Sequence, residues 1–207
     1  LPEDVPFYVG VLISGDGLGV PFHTNSRFPL PSVETVAVFG SGPIGLGTIL
    51  LQSRLGRRVI AVDLLPERLA LAEKLGAGAT LNPSDTDVVD EIRSLTEGKG
   101  ADVCIEAAGR PETARQCFQA VRHGGAVAFN GEQPALELSP SDDFIRRDIT
   151  AFGSWYCHFN EFDDLLKLWQ NGLQIDSLIT HHFPLEEAET AFAEFAAGRT
   201  GKVLLTY

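Results

Sequence analysis

The apolar run Thr35-Val36-Ala37-Val38-Phe39 passes directly into Gly40-Ser41-Gly42-Pro43-Ile44-Gly45. An almost unbroken, partly β-branched run of this kind predicts a strand covered on both faces. The glycines that follow restrict the fold sharply. Gly40 permits a tight turn, Gly42 lets the backbone approach a bound group, and Gly45 lets the next helix pack closely on the sheet. Pro43 to Leu55 reads as that helix, with Ile44, Ile49 and Leu55 among its apolar positions and Gly56 as its stop. Its N-terminus would offer free N–H groups and a positive dipole end to an anion.

Val59-Ile60-Ala61-Val62 reads as a second buried strand, ended by Asp63, which lies 18 positions after Gly45. A carboxylate there accepts hydrogen bonds from an adenosine ribose and repels a 2′-phosphate. Leu64 follows, where a binder of the phosphorylated dinucleotide can place an Arg. The pattern therefore predicts NAD over NADP. Two competing readings stand beside it. Asp63 can simply cap the next helix, and methyltransferases that bind S-adenosylmethionine also pair a Gly-rich loop with an acid after the second strand. The tight turn of this loop disfavours the latter.

A helix is expected from Pro66 to Gly76, with Leu69, Ala72 and Leu75 inward. Further strands are expected at Ala79–Leu81, Asp102–Ile105 and Ala126–Phe129, and helices at Val88–Thr96 and Glu112–Val121. Strands alternating with helices of this length predict an α/β fold with a parallel, doubly wound sheet. The flanks differ. Residues 1–32 carry Pro2, Pro6, Pro21, Pro29 and Pro31 and do not complete a domain alone. After Phe152 come an amphipathic helix near Glu161–Trp169, an apolar segment near Leu178–Phe183, a helix near Leu185–Ala197 and a terminal strand Lys202–Thr206.

Charge narrows the partners. Sixteen Lys and Arg against 28 Asp and Glu give 16 − 28 = −12 over 207 residues. That balance argues against nucleic acid, which needs a dense basic surface, and against an anionic membrane leaflet. No apolar run approaches the roughly 18 residues of a membrane helix, and Leu1-Pro2-Glu3-Asp4 does not open a signal peptide. Cys104, Cys117 and Cys157 are too widely spaced for a disulfide framework or a metal knuckle. The expected location is the cytoplasm. The chain contains no Met, and the expectation is a portion of a longer gene product.

Val38-Phe39-Gly40-Ser41-Gly42-Pro43-Ile44-Gly45 and Ile60-Ala61-Val62-Asp63 resemble the medium-chain, zinc-dependent alcohol and polyol dehydrogenases. Arg68-Leu69 to Lys74-Leu75-Gly76-Ala77, Glu106-Ala107-Ala108-Gly109, Arg122-His123-Gly124-Gly125 and Gly201-Lys202-Val203-Leu204-Leu205 fit the same pattern, nearest to the sorbitol type. The resemblance implies a Rossmann domain inserted in a GroES-like catalytic domain. Residues 1–19 would end a catalytic-domain segment, 20–156 would be the cofactor domain and 157–207 would rejoin the catalytic domain. The family's upstream Cys and His-Glu zinc ligands and its four-Cys loop have no counterpart here, which implies the C-terminal part of a longer enzyme.

The resemblance also implies site residues. Asp16, within Ser14-Gly15-Asp16-Gly17, aligns with the last catalytic zinc ligand of the family; a plain turn Asp is the competing reading. Cofactor contacts would come from Gly40, Gly42, Pro43, Ile44, Gly45 and Asp63. Val20 would approach the nicotinamide, Arg68 would lie along the adenine, and Lys202 would sit near the pyrophosphate. Ala107 and Ala108 after the fourth strand, Asn130 and Gly131 after the fifth, and Ser154, Trp155 and Tyr156 near the carboxamide complete the set. Asn130 and Glu132 depart from the more apolar family pattern.

The remaining polar and aromatic residues carry less. His23, His123 and the His181-His182 pair read as structural or solvated, Cys104 as core, and Trp155 and Trp169 as core or interface. His158, beside Cys157, is the histidine best placed to face a cleft. The implied reaction is hydride transfer between a secondary alcohol or polyol and NAD, with zinc as Lewis acid. A zinc-free reductase of the quinone-reductase type and a nucleotide-binding module without chemistry are the alternatives. An apolar edge strand near Thr150–Tyr156 predicts a homo-oligomer.

Overall fold

The computed structural model describes residues 1–207, and two short helices, α1 (Phe7–Ile13) and α2 (Gly19–Ser26), precede the main sheet. The chain then alternates β1 (Thr35–Phe39), α3 (Pro43–Arg54), β2 (Arg58–Val62), α4 (Pro66–Lys74), β3 (Ala79–Leu81), α5 (Val88–Leu95), β4 (Ala101–Glu106), α6 (Pro111–Ala120) and β5 (Val121–Phe129). β6 (Thr150–Gly153) completes a six-stranded sheet of order β3-β2-β1-β4-β5-β6, parallel throughout. The order reverses between β1 and β4, the place where doubly wound sheets bind ligands beyond the carboxyl ends of their strands. The expected α/β class is the observed one.

Both faces of this sheet are buried, as the unbroken apolar runs require. Val36 and Val38 pack in one cluster with Leu46, Ile49 and Leu50 of α3. Ala37 and Phe39 pack in the other with Ile92 of α5 and Cys117 and Phe118 of α6. Alternate residues of β1 thus serve alternate faces. Burial pushes the thiols of Cys104 and Cys117 well up, which keeps both as inert core groups.

The flanks close on the first face. α7 (Phe162–Gln170) places Leu165 and Leu166, and the turn after it places Leu173, Ile175 and Leu178, in one cluster with Val9, Leu12 and Ile13 of α1 and with Val36 and Val38. Leu12, Ile13 and Leu18 are fully buried, and each such side chain contributes about 1.5–3 kcal/mol. Beyond it, β7 (Ile179–Pro184) pairs in parallel with β8 (Lys202–Thr206) as a separate two-stranded sheet, bridged by α8 (Ala188–Ala196). No helix is long and apolar enough to cross a membrane.

Several boundaries differ from those read in the sequence. β5 starts at Val121 rather than Ala126, because the register shifts between Ala101 and Val103 and the intervening Arg122–Gly125 bulge outward through Gly124 at φ +66°. The edge strand stops at Gly153, short of the expected Tyr156, whose φ of +56° leaves the extended region. α8 begins after a 3-10 turn at Leu185–Glu187.

Candidate functional site

The carboxyl ends of the strands form a row, tied strand to strand by backbone bonds. Gly40 N donates to Val62 O and Ala107 N to Phe39 O, both at 2.8 Å. Asn130 N donates to Glu106 O at 2.8 Å, and Ser154 N to Phe129 O at 3.0 Å. Gly40, Asp63, Ala107, Ala108, Asn130, Gly131 and Ser154 therefore lie along one rim; the sequence placed all of them but Ser154 at the ends of their strands, whereas Ser154 was expected within the edge strand.

The glycine loop is built for close approach. Gly40 has φ +97°, and a Cβ there would lie 2.7 Å from Ala108 N. A Cβ on Gly45 would lie 1.8 Å from Gly40 O, so α3 can start this near β1 only with glycine. The start of α3 has Pro43 in its first turn and no side-chain cap, which leaves its free N–H groups for an external acceptor. The hydroxyl of Ser41 is buried without a partner.

Asp63 locks that loop to β2. Its Oδ2 accepts Ser41 N at 2.7 Å and its Oδ1 accepts Leu65 N at 3.0 Å. Each oxygen retains acceptor capacity for a ribose hydroxyl. Arg68 Nη1 stands 3.8 Å from Asp63 Oδ2, while Arg68 Nε donates to Gly198 O at 3.0 Å. The cradle, the unpartnered Ser41 hydroxyl and the carboxylate together fit a dinucleotide.

On the other side of the sheet's switch point, Asp16, Val20, Ile44, Asn130, Ser154, Trp155 and Tyr156 line a cavity of about 50 Å³. Thr24, fully buried on α2, donates to Val20 O at 2.8 Å. The same hydroxyl lies 3.1 Å from Ser154 Oγ and accepts Asn130 Nδ2 at 2.9 Å. Sequence reading missed Thr24, because within the polar run His23-Thr24-Asn25-Ser26 nothing sets it apart. Trp155, expected in the core or an interface, is 73% exposed in the turn after the edge strand and so is not a core residue. Trp169 packs partly buried against the first core cluster.

Glu106 is buried at the end of β4. Its Oε1 accepts Ala108 N, Gly109 N and Thr113 Oγ1 at 3.0, 2.9 and 2.7 Å, and its Oε2 has no partner. Burial pushes this carboxyl up, against the opposing pull of those hydrogen bonds. It holds the turn that carries Ala107 and Ala108. His23 is structural: Nδ1 lies 3.0 and 3.1 Å from the two oxygens of Glu161, and the His158 ring packs edge-on against it at 4.5 Å. His158 lines a separate hollow with Ile13, Ser14, Tyr156, Cys157 and Phe159. Lys202 lines a hollow under α8 with Phe192, Phe195 and Leu205.

A zinc ion does not fit this chain by itself. Asp16 is exposed at the mouth of the cavity, and no three His, Cys, Asp or Glu side chains gather to hold a metal. A catalytic zinc takes about three protein ligands.

Comparison with known proteins agrees with this geometry. The family described as zinc-binding dehydrogenase matches residues 43–171. L-threonine 3-dehydrogenase of Streptomyces coelicolor is 36% identical over 98% of this chain and 60% of its own length. 2R,3R-butanediol dehydrogenase of Bacillus subtilis superposes with a TM-score of 0.89 at 30% identity, over all of this chain and 60% of the other. A Sinorhizobium meliloti protein, described as a zinc-binding dehydrogenase and solved bound to NADP, gives a TM-score of 0.86 at 31% identity over 98% of this chain and 61% of its own. The chain spans about 60% of the length of these curated relatives. With the glycine cradle, the parallel sheet and these matches in agreement, the chain belongs to the medium-chain, zinc-binding dehydrogenase family.

Proposed function

We propose that this chain serves an oxidoreductase that moves a hydride between a secondary alcohol or polyol and NAD. The observation that carries the reading is the linkage of Asp63 to Ser41, which joins a ribose-binding carboxylate to a glycine cradle at the switch point. A bound nicotinamide dinucleotide supplies the hydride acceptor. Asp63 orients the adenosine ribose, and the open N-terminus of α3 receives the pyrophosphate. Val20 and Ile44 present an apolar wall toward the nicotinamide half. Arg68, Ala107, Ala108, Gly131, Trp155 and Lys202 are proposed as further contacts. Threonine and 2R,3R-butanediol, after which two of the relatives are named, carry hydroxyls on secondary carbons, which supports that substrate class.

Asp16 is proposed as one carboxylate ligand of a zinc ion whose other ligands come from outside residues 1–207. The segments 1–19 and 157–207 are proposed as the places where the chain passes to a second domain around the cofactor unit, 20–156. A cytoplasmic homo-oligomer is the corresponding proposal for the whole protein.

NADP is the second reading, because the Arg68 guanidinium stands beside Asp63 and one relative was solved with NADP. NAD is preferred because the Asp63 carboxylate stands where a 2′-phosphate would have to sit and Arg68 Nε is already bonded to Gly198 O. Titration of the purified chain with NADH and NADPH, followed by cofactor fluorescence, tests this. Tighter binding of NADPH overturns the NAD assignment, and no binding of either overturns the dinucleotide reading.

A further inference from the structure

Asn130 is held in an unusual way for a residue at a strand end. Its Nδ2 faces Thr24 Oγ1 at 2.9 Å, Ser154 O at 3.3 Å and Phe129 O at 3.4 Å. Two of these partners are carbonyl oxygens, which only accept. Turning the amide over would set Oδ1 against both, so the donor side is fixed and Oδ1 must point away from them. That Oδ1 is buried and has no donor. A buried acceptor left unmade is costly, and native proteins leave few of them without a reason.

The position of Asn130 indicates what the acceptor is for. Asp63 at the end of β2 marks the adenosine half of the site, and the glycine loop after β1 marks the pyrophosphate. Asn130 ends β5, on the opposite side of the β1/β4 switch, and lines the same cavity as Ile44 of the loop helix. That cavity of about 50 Å³ exceeds the roughly 10–15 Å³ that one water requires. The part of a dinucleotide on that side is the nicotinamide, whose carboxamide is neutral and carries two N–H donors.

We propose that Asn130 Oδ1 accepts a hydrogen bond from the carboxamide N–H of the nicotinamide, and that Thr24 is the positioning residue that aims it. This rests on the dinucleotide reading above and adds a side-chain determinant within it. Thr24 acts through Asn130: its hydroxyl proton goes to Val20 O, which leaves its lone pair to receive Asn130 Nδ2. Ser154 completes the node, its Oγ lying 3.1 Å from Thr24 Oγ1.

The test compares NADH with reduced 3-acetylpyridine adenine dinucleotide, in which a methyl group replaces the amide NH₂. Dissociation constants are read from cofactor fluorescence, without turnover. The unaltered chain should bind NADH about tenfold tighter than the analogue, the size of one neutral hydrogen bond in a dry site. Asn130→Leu should weaken NADH about tenfold and change the analogue less than about twofold, and Thr24→Val should move the same ratio in the same direction. Equal affinity of the unaltered chain for the two cofactors overturns the proposal even if Asn130→Leu does not fold. Equal weakening of both cofactors in the variants also overturns it, and makes Asn130 a structural residue only. Absence of NADH binding by the unaltered chain would instead overturn the dinucleotide reading on which the proposal stands.

Discussion

Asp63 Oδ2 accepts the backbone N–H of Ser41 at 2.7 Å, so the residue that ends β2 also holds the loop that follows β1. One carboxylate thereby shapes the pyrophosphate cradle and faces the ribose. Asp63→Ala removes both roles and should weaken NADH roughly ten- to hundredfold, as expected for hydrogen bonds to a charged group. Asp63→Asn keeps an acceptor at Oδ1 but removes the charge that repels a 2′-phosphate. It should therefore shift the NADH/NADPH affinity ratio toward NADPH by about tenfold or more, measured by parallel titrations. An unchanged ratio would show that Asp63 only caps the following turn.

Glu161 gives a pH-dependent prediction. Burial opposes its ionisation, but the hydrogen bonds from His23 Nδ1, His158 N and Ser26 Oγ outweigh that and hold its carboxyl below the usual glutamate range. The unfolded chain takes up this proton near the ordinary value of about 4.3, and the folded chain only at lower pH. The stabilisation is therefore fully present above the ordinary value and is lost as the pH falls through the folded one. Glu161→Gln should cost about 1–2 kcal/mol at pH 7 in urea denaturation, and the gap to the parent protein should narrow as the pH drops below about 4. A gap that stays constant from pH 7 to pH 3 would remove the charge from the explanation.

These two pairs also show what was legible in the sequence. Asp63 and Ser41 are near in sequence, joined by a strand and helix whose burial on both faces writes an almost continuous apolar pattern. The β1–loop–α3–β2 unit could therefore be read directly, along with the acid that closes it. His23 and Glu161 are 138 positions apart, and Thr24 and Ser154 are 130 apart. Their contacts exist only because α1, α2 and α7 close on one face of the sheet, which no local pattern encodes. α1 was missed because it has seven residues, no side-chain cap and no polar face to reveal a helical period: Val9, Gly10, Leu12 and Ile13 are all buried. Asp16 could be placed only by resemblance, since a Gly-Asp-Gly stretch is equally the chemistry of a turn.

Metal retention tests the role proposed for Asp16. With a single exposed carboxylate at the expected place and no cluster of three ligands, the 207-residue chain should keep far less than one zinc after dialysis and form no NADH from a secondary alcohol. In a protein that includes the remaining ligands, Asp16→Asn should lower zinc content and turnover while leaving the NADH dissociation constant within about twofold. Asp16→Ala should lower metal content further. Full zinc stoichiometry and turnover in both variants would leave Asp16 a turn residue.

The edge of the main sheet predicts assembly. β6 pairs only with β5, and its outer backbone groups at Thr150–Gly153 face no further strand. An open edge of this kind is normally covered or paired, and pairing with a second copy is the expected outcome. Light scattering at micromolar concentration should give at least twice the 22.4 kDa chain mass. A monomeric mass would count against pairing at β6.

The two loop glycines make the sharpest contrast between folding and binding. A Cβ on Gly45 would sit 1.8 Å from Gly40 O, a backbone atom that cannot move without parting α3 from β1. Gly45→Ala should destabilise the fold by about 1–3 kcal/mol or more and lose cofactor affinity as a consequence. Gly42 is different: its φ of −75° and ψ of −171° suit any residue, and a Cβ there meets nothing within 4 Å. Gly42→Ala should leave stability unchanged or raise it by about 0.4–1 kcal/mol, because the unfolded chain loses freedom. Yet the added methyl would stand where the pyrophosphate must approach the backbone, so NADH binding should weaken at least about tenfold. Thermal unfolding and NADH titration on both variants check the pair together. A Gly42→Ala protein that folds like the parent and also binds NADH like it would place the dinucleotide somewhere other than this loop.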